Sequence, residues 1–151
     1  MDTQKVQQKI NEYELFVEEK LKSDLKDIET ILEDKSSKYK EWEEVQNVVK
    51  VIRNFKDKNR DMNVKVDIGK GLLAQGEITD FERSYINIGL GYMLEMDCDE
   101  ADKYSTIRMN FLKKEISHFR KLAIDVKVHI KLTLLAINEL QATLVPSKQK
   151  K

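Results

Sequence analysis

The chain has 151 residues with 27 basic and 27 acidic side chains, so its formal net charge is zero. A neutral balance gives no general attraction to phosphate backbones or anionic lipid, and argues against direct nucleic-acid or membrane binding. Charged residues make up 36% and hydrophobic residues 40%, with one proline and five glycines, which leaves little to interrupt a helix.

The first segment, about 6–58, carries apolar residues at steps of three and four. They are Val6, Ile10, Tyr13, Val17, Leu21, Leu25, Ile28 and Leu32; Lys35 interrupts; then come Tyr39, Trp42, Val45, Val49, Ile52 and Phe55. That row predicts one stripe along a helix of about 80 Å. Such a helix has no compact core in which to bury its stripe and must lie against another long helix.

The second segment, about 63–96, holds all five glycines: Gly69, Gly71, Gly76, Gly89 and Gly91. Here the period drops to two, as in Val64, Val66, Ile68 and in Ile86, Ile88, which predicts strands near 64–69, 72–78, 84–89 and 92–96. Two hairpins this small cannot bury both faces alone. Val64, Val66, Ile68, Ile86, Ile88, Leu90, Tyr92 and Leu94 are therefore the candidate subunit interface. Gly71 and Gly76 are more glycines than the first hairpin requires.

The third segment, about 99–144, opens with Asp97 and Glu100 in capping-box spacing. Its predicted stripe is Ala101, Tyr104, Ile107, Phe111, Ile116, Phe119, Leu122, Val126, Ile130, Thr133, Ile137, Leu140 and Leu144, drifting near Leu112 and Leu132, with Pro146 as the stop. The helix would run about 65–70 Å. The fold class expected is α+β, mainly α: two long helices in an antiparallel coiled-coil hairpin joined by two β-hairpins, as one domain over 1–151.

No catalytic constellation emerges, and an enzyme is not expected. Glu18 with Glu19 and Glu43 with Glu44 read as solvated charge. Gly89-Leu90-Gly91 and Gly69-Lys70-Gly71 lack the rest of a phosphate loop. His118 and His129 stand too far apart to share an ion, so neither a metal nor a cofactor is expected. Cys98 is the only cysteine, which excludes an internal disulfide and fits a reducing compartment. The Met1–Lys9 stretch reads as no secretory signal, and Lys148–Lys151 as a solvated basic end.

Helix, paired hairpins, helix resembles the α-type prefoldin subunits across nearly the whole chain. The resemblance is carried by Val66-Asp67-Ile68-Gly69, by the run Tyr85 to Glu95 with its paired glycines, and by Asp99-Glu100-Ala101. Leu21 to Leu25, Val126 to Ile130 and Glu139 to Gln141 point to one branch of that family. The resemblance implies a hetero-hexamer with β-type prefoldin subunits and another α-type subunit. It also implies binding of non-native client proteins near the helix tips, where Val6, Ile10, Leu15, Phe16, Leu140, Leu144 and Val145 are the candidates. That branch is associated with R2TP-type co-chaperones, transcription factors, the cytoplasm, the nucleus and the centrosome. A coiled-coil scaffold or transcription co-regulator acting outside such a hexamer is the alternative.

Overall fold

The computed structural model describes residues 3–145; Pro146 and the basic end lie outside them. Helix α1 (Thr3–Leu15) runs through a π-helical turn (Phe16–Leu21) into α2 (Lys22–Asp57). Strands β1 (Met62–Asp67), β2 (Leu73–Ile78), β3 (Ser84–Gly89) and β4 (Tyr92–Met96) follow, then α3 (Cys98–Leu144). The strands form two separate antiparallel hairpins, β1–β2 and β3–β4. The expected fold is observed; β1 lies two residues earlier than predicted and β2 starts one residue later.

Two compact units are built from these elements. In the unit of residues 3–36 and 114–145, the helices run antiparallel. Val6, Ile10 and Ile137 are buried together with Leu140 and Leu144 against them. Farther along, Lys127 meets Glu29, and farther still Lys35 meets Glu115. The π turn widens the helix there, with the Lys22 amide donating to the Val17 carbonyl. Val17 and Leu21, four residues apart and so on one helix face, are both buried.

Lys35 does not break the stripe. Its ammonium donates to both oxygens of Glu115 at 2.9 and 3.0 Å, and both side chains are about three-quarters covered. A single cross-helix ion pair set into an apolar seam fixes which turn faces which, because any slip strands both charges.

The unit of residues 37–113 holds the hairpins. Val49, Ile86, Met96 and Ala101 form its core, with Trp42, Val45, Cys98 and Tyr104 packed against them. Trp42 meets Tyr104 edge-on at 5.4 Å, and Arg108 lies 5.9 Å from the Trp42 ring. Helix α2 ends where the Arg60 amide bonds the Phe55 carbonyl and the Asn59 amide bonds that of Lys56, with Asn59 at φ 48°. That is a Schellman stop with asparagine in the left-handed position. The capping box at α3 is reciprocal: Glu100 N–H donates to Asp97 Oδ1 at 2.8 Å, and Asp97 N–H to Glu100 Oε2 at 3.0 Å.

The stripe on α3 needs correction. Ile107, Phe111 and Leu122 are exposed, while Ser105, Leu112 and Ala123 are buried in their place. The row Ala101, Ser105, Leu112, Ile116, Ala123 steps alternately by four and seven along one helix face. Hydrophobicity alone favoured the bulkier neighbours, but small residues let the partner helix come close.

Glu115→Ala should destabilise the fold by about 1–3 kcal/mol, since Lys35 is left half-buried without its partner. The joint change Lys35→Met with Glu115→Leu should cost less than the single change; urea unfolding of both variants checks the order.

Candidate functional site

The two hairpins share one turn design. In the first, Gly69, Lys70 and Gly71 have φ of 110°, 54° and 77°; in the second, Gly89, Leu90 and Gly91 have 107°, 53° and 78°. Asp67 Oδ1 accepts from the Gly69 amide at 2.8 Å, and Asn87 Oδ1 from the Gly89 amide at 2.9 Å. Across the first turn the Leu72 amide donates to the Gly69 carbonyl at 3.0 Å. Two central residues at positive φ make a type I′ turn, whose twist matches the strands it joins. Gly71 therefore has the place in its hairpin that Gly91 has in the other. The repeat is legible as Asp/Asn-Ile-Gly-x-Gly once both hairpins are set side by side. Gly76 is of another kind: it pairs with Val64 inside β2, with ordinary backbone angles.

Side chains on the β3–β4 face that touches the helices grow steadily barer toward the turn. Met96 is 5% exposed, Leu94 47%, Tyr92 68% and Leu90 97%. Ile86, opposite Leu94, is buried against Val49 at the base of this face. The β1–β2 hairpin repeats the trend: Met62 and Val64 are half-buried, while Val66, Ile68 and Leu72 are exposed. Of the candidate interface residues, Ile86 thus belongs to the chain's own core and Val64 is partly covered. Val66, Ile68, Ile88, Leu90, Tyr92 and Leu94 present apolar surface to the outside. Leu90 is both fully exposed and held at a φ that costs a non-glycine residue roughly 1 kcal/mol.

Below the second hairpin lies an open cleft of ≈ 680 Å³, with Trp42, Val45, Val48 and Ile52 on one wall, Ile86, Ile88 and Met93 on the other, and Arg108 among its lining. Both hairpins also leave two strand edges without a partner. The link between them is pinned by Phe81, which is buried and stacks on Phe55 at 6.2 Å. Beside it Glu82 accepts from Lys56 at 3.0 Å; that bond raises the ammonium's pKa above the ordinary lysine value, so it stays charged at neutral pH. Sequence reading missed Phe81, because a lone phenylalanine between two turn signals has no periodic neighbours to mark it.

The candidate tip residues divide. Val6 and Ile10 are buried in the helix seam, with Leu140 and Leu144 packed on them. Leu15, Phe16 and Val145 are exposed. Among the described residues no group of His, Cys, Asp and Glu is placed to hold a metal, and no helix is long and apolar enough to cross a membrane.

Long helices that pair with each other and two hairpins that they only partly cover leave apolar sheet exposed, the layout of a subunit-type protein. The prefoldin subunit family matches residues 25–143, and the chain belongs to that family. It is 29% identical over 143 residues to "Protein UXT homolog" of Nematostella vectensis, covering 90% of this chain and 86% of that protein. It is 25% identical over 135 residues to "Protein UXT" of Homo sapiens, covering 89% and 84%. "Protein UXT homolog" of Dictyostelium discoideum is 28% identical over 136 residues, covering 87% and 81%.

Gly69→Ala and Gly89→Ala should each destabilise by about 1–2 kcal/mol through backbone strain, as no atom lies within 4 Å of the added methyl. Gly76→Ala should be neutral or slightly stabilising, since its methyl meets Val64 at an ordinary 3.5 Å. Thermal unfolding of the three variants tests the contrast.

Proposed function

We propose that this chain is an α-type subunit of a hetero-hexameric prefoldin or prefoldin-like assembly, in which its hairpins join those of β-type subunits and of a second α-type subunit. Family membership already gives it a prefoldin-like chaperone or co-regulator role and assembly with other prefoldin-type subunits. The observation that supports the finer reading is the apolar hairpin face. It starts in the chain's own core at Ile86 and Met96 and runs out bare through Leu94, Tyr92 and Leu90. Sheet edges and apolar faces of this kind are completed by another strand pair.

In the same reading, non-native clients meet the exposed Leu15, Phe16 and Val145, and the buried Val6 and Ile10 hold the seam beneath them. Cytoplasmic and nuclear assemblies with R2TP-type co-chaperones and transcription factors are the proposed settings; the family resemblance is what supports them.

The triple variant Val66→Asp, Tyr92→Asp, Leu94→Asp changes only exposed positions. It should keep the helical circular dichroism and lose co-elution with β-type prefoldin subunits on size exclusion; retained co-elution sinks the proposal. In the assembled complex, Leu15→Ser with Phe16→Ser should weaken suppression of a denatured client's aggregation several-fold, read by light scattering, without dissociating the subunits.

A further inference from the structure

On α3, Ile124, Val128, Leu132 and Leu135 are each about half exposed. Their spacing of four, four and three places them within an arc of about 80° over three turns. The buried or half-buried residues of the same stretch, Ala123, Val126, Ile130 and Ile137, lie on the opposite side of the helix. A second apolar stripe thus faces away from the seam, where it contributes nothing to the pairing of the helices.

Its charge surroundings are one-sided. Between residues 120 and 135 stand Arg120, Lys121, Lys127 and Lys131 against Asp125 alone, in a chain whose net charge is zero. Lys127 makes a long, exposed pair with Glu29 at 3.4 Å. Among the described residues Arg120, Lys121 and Lys131 make no ion pair. Lysine and arginine stems can extend the apolar strip while their heads stay in water.

We propose that this face of α3 docks an acidic amphipathic helix from a partner protein. A helix laid along the stripe would seat its own apolar row on Ile124, Val128, Leu132 and Leu135 and set flanking carboxylates against Arg120, Lys121 and Lys131. The strip is narrow, and helices that lie in a membrane surface carry a broad apolar face, so a folded protein segment fits better than lipid. The site does not depend on the hairpins and recognises a folded, charged helix, unlike the proposed client contacts.

The test uses the full chain, in complex with its partner subunits where it is isolated so. The probes are two fluorescent helical peptides with leucines at the same spacing, one flanked by glutamates and one by lysines. Anisotropy should show micromolar binding of the glutamate peptide, weakened by salt, with little for the lysine peptide. Arg120→Glu with Lys121→Glu and Lys131→Glu, and separately Ile124→Ser with Val128→Ser and Leu132→Ser, should each weaken it at least about tenfold. Equal binding of both peptides, none of the glutamate peptide at about 100 µM, or undiminished binding by either variant overturns the proposal. So does co-sedimentation with phosphatidylglycerol vesicles that the charge variant loses, which would assign the face to lipid. A concentration-dependent dimer abolished by the serine variant would assign it to a second copy. The comparison of the two peptides on the unaltered chain decides the matter even if a variant fails to fold.

Discussion

The seam between antiparallel helices is the constraint on which the rest depends. Each long helix turns one apolar stripe toward the seam and has only its partner to bury that stripe against. Such a seam is thin, and apolar contact alone specifies its axial position weakly, because one turn of slip replaces one aliphatic residue with another. In the unit of residues 3–36 and 114–145 the Lys35–Glu115 pair supplies the missing specificity, because a slip would strand both charges. In the unit of residues 37–113, aromatic packing of Trp42 on Tyr104 acts in the same way.

The hairpins inherit a shortage from that economy. A two-stranded sheet has two faces and little of its own to cover them, and in the second hairpin only the base of one face reaches the helices, through Ile86 and Met96. Everything nearer the turns must remain bare or be covered by another chain. The shared Gly-x-Gly turn design strengthens this, since type I′ geometry holds the strands tightly paired out to the tip. Leu90 sits at that tip in a conformation most residues avoid, fully in water. The type I′ turn demands that positive φ at its first central position, as it does at Lys70 in the other hairpin.

The element order, the fold class and most element ends could be read from residue spacing, because periodicity reports which face is buried and special residues report where chains turn. The capping box at Asp97 and Glu100 was legible for the same reason: its bonds lie within three residues. The client-tip candidates were drawn from position near the termini, and position alone could not separate Val6 and Ile10, inside the seam, from Leu15 and Phe16, outside it. The interface candidates were drawn from alternation, which assigns a face but not the depth along it, so Ile86 and Leu90 looked alike.

The sequence by itself determined the local structure: two helices without breakers and a glycine-rich pair of hairpins between them. Tertiary structure alone decided that Ser105, Leu112 and Ala123 are buried in place of Ile107, Phe111 and Leu122, what partner Lys35 meets, and where along each hairpin the chain's own cover ends. Those outcomes depend on contacts between residues tens of positions apart. Small residues such as Ser105 and Ala123 win there over larger apolar neighbours because close packing rewards fit before hydrophobicity.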